Sequence, residues 1–209
     1  MQIYTGNAYG KKLEKVIEYE LGIMISTSPI FKPNKDFNQV PCALDNGAFS
    51  AWSKGYPFPE KAFLDTLDTC YKLNLTLDFI VCPDIVTGGE KSLLFSLEWA
   101  QGRLRTAPRL ALVLQDGMTP EMIDDYTLSF FEVLFVGGTV EWKWKTAEQW
   151  VEHAHKHNKK CHIGQCGKLL SLRMASLLGV DSVDSTSFTR NSSWQTLDEF
   201  KSNITLFKI

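Results

Sequence analysis

Residues 78–84 read DFIVCPD, an apolar run of strand length that stops on a proline and a carboxylate. Such a run fits a strand buried on both faces, and Pro83 fixes the direction in which the chain leaves it. A carboxylate at that exit, Asp84, is costly inside a protein unless it faces a cavity. The same sign recurs on either side. ALDNGAF ends a run at Asp45, LALVLQDG at Gln115, VLFVGG at Gly137 and Gly138, and GVDSVDSTSF at Asp184. In parallel α/β proteins ligands bind at the carboxyl ends of the strands. The five positions therefore point to one shared cavity.

Working outward from these runs, strands are expected at 2–5, 22–26, 42–45, 77–82, 110–115, 132–136, 160–164 and 181–184. Helical patterns alternate with them at 11–20, 60–73, 91–103, 120–129, 147–157 and 169–178, with a short last one at 197–202. Pro120 after Thr119 suits a first helical position, and Thr146 is read as the opening of the helix at 147. Strand alternating with helix implies right-handed β-α-β units and a parallel sheet. Eight strands favour a closed, compact (β/α)8 TIM barrel, at the small end for that fold with its 209 residues, and one domain over 1–209. Residues 27–40 are polar, contain proline and lack a helical period, so one barrel helix is expected to be missing there.

The formal net charge of −2 provides no global basic field. That weighs against a protein that coats nucleic acid and leaves room for a local basic groove. The five cysteines include no C-x-x-C pair, and those in or beside apolar runs behave as small hydrophobes. The opening MQIYTGNAYGKK carries no long apolar stretch, and no run is long enough to span a membrane. A reducing cytoplasm is the expected location.

Each polar position has a chemical and a plain structural reading. Asp184 can attack an electrophilic carbon or stabilise a cation, or it can orient a loop; Asp181, at the start of the same strand, suits the plain role better. Asp45 precedes the tight-turn pair Asn46-Gly47, where an Asx-turn is the simpler use. Phe49 can stack on a planar ligand or fill the core. Asp84 can accept two donors from the amidine-like edge of a guanine, with Gln115 on the carbonyl side. Gly137-Gly138 lets backbone approach a ligand with an N–H to donate. His153, His155 and His157 form H-x-H-x-H, read as a solvated helix face since no carboxylate or cysteine is matched to it. No G-x-x-x-x-G-K-[ST] or G-x-G-x-x-G motif occurs, so no nucleotide cofactor is expected. EWKWK, residues 141–145, interleaves aromatics with Lys143 and Lys145; it suits a nucleic-acid backbone with unstacked bases, or equally the packing of a surface loop.

In this order, the motifs resemble those of the tRNA-guanine transglycosylase superfamily. DNGAFSAWS is similar to its D-S-G-G-F-Q loop, CPDIV to its F-D-E segment and VLQDGM to its V-Q-G-G segment. FVGGTV is similar to its G-G-L-A-V-G-E loop, and GVDSVDSTSFTRN to its G-x-D-x-F-D-C-x-x-P-T-R-N segment. The likeness runs from about residue 43 to 191. It implies Asp184 as the nucleophile at C1′ and Asp45 as the general acid/base. It makes Asp84 the reader of the guanine edge, Gln115 and Gly138 the partners of its carbonyl, Phe49 the stacking ring and Arg190 a nucleic-acid contact. The departures are informative. The C-x-C-x-x-C zinc cluster is not found, so the zinc-binding subdomain is expected to be absent and no metal is implied. Glu141 comes earlier than the family's carboxylate, and Phe188 stands where the family has proline. Short phage-type members of the superfamily insert 7-deazaguanines into DNA, and this chain looks more like those. The resemblance thus implies a polynucleotide partner, DNA ahead of tRNA, and a free 7-deazaguanine base such as preQ0, with no cofactor. A base-releasing hydrolase on the same carboxylates, or a barrel that only binds, are the alternatives.

Overall fold

The computed structural model describes residues 1–27 and 32–204. Part of the polar segment 27–40 therefore lies outside the described residues. Among those described, eight strands close into one parallel barrel in sequence order, with the first paired to the last. The strands are β1 (Gln2–Thr5), β2 (Gly22–Ile25), β3 (Cys42–Leu44), β4 (Leu77–Val81), β5 (Leu110–Leu114), β6 (Val133–Val136), β7 (Lys160–Ile163) and β8 (Ser182–Ser185). The helices are α1 (Lys11–Glu18), α2 (Ala48–Trp52), α3 (Glu60–Lys72), α4 (Glu90–Gln101), α5 (Asp125–Leu128), α6 (Val140–Lys156), α7 (Leu169–Leu177), α8 (Ser187–Arg190) and α9 (Trp194–Ile204). Lys35–Gln39, after β2, is a short 3-10 turn in place of a barrel helix.

Alternation along the strands sorts the chain into two cores. Ile80, Cys82, Leu112, Leu114, Leu134, Cys161 and Ile163 pack outward against the helices. Tyr4, Met24, Ala43, Phe79, Val81, Ala111, Val113 and Val133 fill the barrel interior, with Phe135 against them. A side chain two residues on from an inward one also points inward. That rule carries the inward series from Ala43 to Asp45, from Val113 to Gln115 and from Ser182 to Asp184, at the carboxyl ends of their strands.

The helix boundaries differ most at α6. It begins at Val140, capped by Thr139, whose hydroxyl accepts the N–H of Trp142. Thr146 is a mid-helix residue that donates to the carbonyl of Trp142. EWKWK is thus the first turns of a helix and not a loop. Residues 120–129 split into a 3-10 turn, Pro120–Met122, and the short α5, capped by Asp124 on the N–H of Thr127 at 2.8 Å. All five cysteines are free and buried, and burial raises each thiol's pKa. No helix among the described residues is long and apolar enough to cross a membrane.

Candidate functional site at the carboxyl end of the barrel

The site begins with Asn46. It is 2 % exposed, and its side chain spends every polar atom. Oδ1 accepts the N–H of Ala48 at 2.8 Å, which is an Asx-turn that starts α2. Nδ2 donates to the carbonyl of Cys82 at 2.8 Å and to Asp84 Oδ1 at 2.7 Å. The turn-forming role open to Asp45 therefore falls to its neighbour. Gly47, at φ 79°, completes the bend, and a Cβ there would lie 2.0 Å from the Thr27 hydroxyl.

Asp84 is buried between two amides. Gln115 Nε2 donates to its Oδ2 at 2.6 Å, while Gln115 Oε1 accepts the N–H of Thr87 at 3.0 Å. Burial pushes the Asp84 carboxyl up to about 6, and the two amide donors restrain that rise. Each carboxylate oxygen keeps a second lone pair for a ligand. The polar atoms of Gln115 are already engaged, so within this structure Gln115 orients Asp84.

Asp45 follows β3 and is pushed up to about 7, first by burial and next by the charge of Asp184, with Asp84 adding less. The backbone N–H groups of Gly47 and Asn46 pull in the opposite direction. Three carboxylates from three strands thus meet at one end of the barrel, and one of them holds a proton up to near neutral pH.

Asp184 stands on β8 with its side chain 18 % exposed. Both of its hydrogen bonds fall on Oδ1: His162 Nε2 lies at 3.1 Å and the N–H of Gln165 at 3.3 Å. His162 is wholly buried on β7, its ring tilted against that of Phe135 with centroids 4.4 Å apart. Its Nδ1 meets the Ser182 hydroxyl at 2.8 Å. Burial lowers its pKa despite the opposing charge of Asp184, so the ring is neutral at pH 7. A neutral ring that faces a carboxylate through Nε2 carries its proton there, and Ser182 then donates to Nδ1.

Lys143 was expected on a basic surface beside Lys145. Instead it is 3 % exposed, and Nζ donates to the carbonyl of Gly164 at 2.7 Å. It lies on the inner face of α6 in line with Ala147, Trp150, Val151 and Ala154. Burial lowers its pKa, while the nearby charges of Asp184 and Asp116 favour the ammonium. Lys145 and Arg190 are exposed, on α6 and at the end of α8. Phe49 lies on α2, 53 % exposed, its ring 5.9 Å from that of Trp52.

The glycine pair follows β6. The N–H of Gly137 donates to the Leu114 carbonyl at 3.0 Å in the barrel ladder. Gly138 is left-handed at φ 67°, and a Cβ would come within 2.6 Å of Asp116 Oδ2. Asp116 in turn holds the N–H of Thr139 at 2.8 Å and its hydroxyl at 2.5 Å.

Asn46 and His162 are not among the residues expected at the site, and Lys143, expected as an exposed nucleic-acid contact, is buried there instead. Their signals were present. Asn46 adjoins a carboxylate at a strand end, and His162 interrupts the apolar run CHI. Lys143 precedes Ala147, Trp150 and Ala154 by four, seven and eleven residues, the spacing of one helix face. The histidine triplet resolves otherwise. His155 reaches Asp181 at 2.9 Å and His157 reaches Asp125 at 3.1 Å, while His153 lies against Trp150 and His157. Asp181 also accepts the N–H of Cys161 at 2.8 Å, a structural clasp where β8 begins.

A cavity of about 630 Å³ opens at the opposite, amino end of the barrel, lined by Gln2, Tyr4, Asp78, Phe79, Lys160 and Ser182 among others. None of the carboxylates at the carboxyl end lines it. Buried polar groups converge instead at the carboxyl end, the end at which this fold binds ligands, which makes it the candidate functional face. No protein-family model matches this chain, and no curated protein does.

Proposed function

We propose that this chain is a guanine transglycosylase, which exchanges guanine in a polynucleotide for a free 7-deazaguanine such as preQ0. The observation that carries the reading is the set of three carboxylates at or just past the ends of three separate strands. Asp84 is clamped by two amides, Asp184 is held by a neutral histidine, and burial and the charge of Asp184 push Asp45 up to about 7 beside them. Order and placement agree with the motifs that resemble the transglycosylase superfamily.

Asp184 attacks C1′ of the target nucleotide as the C1′–N9 bond breaks, through an oxocarbenium-like transition state. The base leaves with its bonding pair and takes the proton held by Asp45. A covalent glycosyl–Asp184 ester remains, as in retaining glycosidases. The incoming base gives its N9 proton to Asp45, attacks C1′ and releases Asp184. Bonds and protons balance, since one glycosidic bond replaces another. A group that both gives and takes a proton works best with a pKa near the working pH, which is where Asp45 lies. Asp84 accepts the donors of the guanine edge. The N–H of Gly138, which has no acceptor among the described residues, donates to the base carbonyl, and Phe49 covers the ring. Extraction of the base from its stack costs a few kcal/mol, and the exposed Arg190 and Lys145 face the backbone of the displaced strand. DNA is favoured over tRNA.

The test is exchange of radiolabelled guanine, run in parallel on duplex DNA, single-stranded DNA and tRNA. Label release that depends on added 7-deazaguanine supports the reading. Free guanine released into water without incorporation of a new base replaces it with a hydrolase. No label movement on any polymer overturns it.

A further inference from the structure

α2 is only five residues long, yet it and the turn after it expose three aromatic rings: Phe49 at 53 %, Trp52 at 51 % and Tyr56 at 67 %. Phe49 and Trp52 lie side by side, ring centroids 5.9 Å apart, and a cluster of exposed rings marks a contact surface. The backbone presents them deliberately. Gly55, at φ 73°, reverses the chain, and the N–H groups of Gly55 and Tyr56 donate to the carbonyls of Trp52 and Ala51 at 2.9 and 3.0 Å. Residues 52–57 are all exposed. The helix that bears Phe49 and Trp52 is anchored at its start by Asn46, which also holds Asp84, so the rings follow in the chain directly from a residue of the site.

The chemistry around the rings separates two kinds of occupant. Residues 46–59, NGAFSAWSKGYPFP, contain no acidic residue and one lysine, Lys54, in a chain whose net charge is −2. Ser50, Ser53 and Lys54 are exposed between the rings. Aromatic faces interleaved with hydroxyls and an ammonium, and free of carboxylates, suit unpaired bases on a phosphate backbone. An apolar protein partner would meet a surface broken by polar groups at each turn.

We infer that Trp52 and Tyr56 form a stacking platform for the unpaired bases that flank the target nucleotide, so that the polymer is held as a single strand across the mouth of the barrel. This rests on the transglycosylase reading for the identity of the polymer as a nucleic acid. Phe49 covers the target base, and the rings beyond it hold its neighbours.

The experiment compares the whole chain with Trp52→Ala, Tyr56→Ala and the double variant. Binding of a nine-nucleotide single-stranded oligodeoxynucleotide with one central guanine is measured by fluorescence anisotropy. Binding of preQ0 alone, measured by calorimetry, is the internal reference. Each ring lost weakens the oligonucleotide by about tenfold, in line with stacking measured by alanine substitution, and leaves preQ0 affinity in place. Trp52→Phe, which keeps a ring, recovers most of the loss. If the double variant binds the oligonucleotide as tightly as the parent, the platform is overturned and the transglycosylase reading survives. If the rings prove to hold two copies of the chain together, sedimentation shows a dimer lost in the double variant with oligonucleotide affinity unmoved, and the platform is again overturned. If the parent chain binds preQ0 but no polynucleotide in any form, both proposals fall.

Discussion

Burial and the charge of Asp184 push Asp45 up to about 7, against 3.8 for an unperturbed aspartate. Between these values the folded chain keeps a proton that the unfolded chain has released, so stability falls as pH rises from about 4 to about 7. Asp45→Asn removes that penalty. It should match the parent near pH 4 and exceed it near pH 8 by on the order of 1–3 kcal/mol, the partly exposed side chain being screened by solvent. Urea unfolding at the two pH values measures this, and equal stability at both would mean that Asp45 is ionised throughout. Exchange should be lost in the same variant, the usual conflict between stability and a strained site. Asp184→Asn should abolish both exchange and any denaturation-resistant adduct with the polynucleotide while the base still binds; near-normal turnover would move the nucleophile's role to Asp45. His162→Phe takes a donor from Asp184 Oδ1 and a partner from Ser182. A displaced nucleophile can cost a factor on the order of 10², so kcat should fall by about that much with preQ0 affinity kept. A fall in affinity alone would make His162 structural.

At the scale of the element, the loop that joins β6 to α6 carries the clearest backbone constraint. An alanine at Gly138 must adopt a left-handed conformation and meet Asp116 Oδ2 at 2.6 Å. Asp116 then loses Thr139, the residue that starts the helix bearing Lys143. Gly138→Ala should therefore destabilise by about 1–3 kcal/mol, whereas Gly117→Ala, left-handed but in open space, should cost only the lower part of that range. Thermal unfolding of the pair separates contact from strain, and equal losses would show that Asp116 moves freely. This element also shows where sequence reading stopped. Strand ends were legible, because apolar runs buried on both faces break sharply at a polar residue, and every strand expected is found within two residues. The start of α6 was not, because Lys143 reads as a surface charge until its face is followed to Trp150. The short α2 and α8 have too few residues to show any period, and His162 looks like one more member of a strand until its partners on β8 are seen.

Across the whole molecule the barrel divides its labour by height. Its middle is packed with Tyr4, Phe79, Val113 and Phe135. Polar groups gather at the carboxyl end, and a separate cavity opens at the amino end. Ser182 belongs to both regions, since it lines that cavity and holds His162 from beneath. With few exposed cations at the mouth, polynucleotide binding should weaken with salt along a shallow slope, the mark of only a few neutralised phosphates. A slope that implies about eight or more would mean that exposed cations away from the mouth also engage the polymer. The buried thiols have a use of their own. Cys42, Cys82 and Cys161 lie on or just after β3, β4 and β7, Cys70 is on α3 and Cys166 follows β7, so they are spread around most of the ring. Protonated and shielded, they resist alkylation while the ring is shut. Their labelling in native buffer is therefore a built-in clock for how the ring opens. If it opens all at once, the five react at one common rate; if a single seam parts first, mass spectrometry will find the cysteines beside it labelled ahead of the rest.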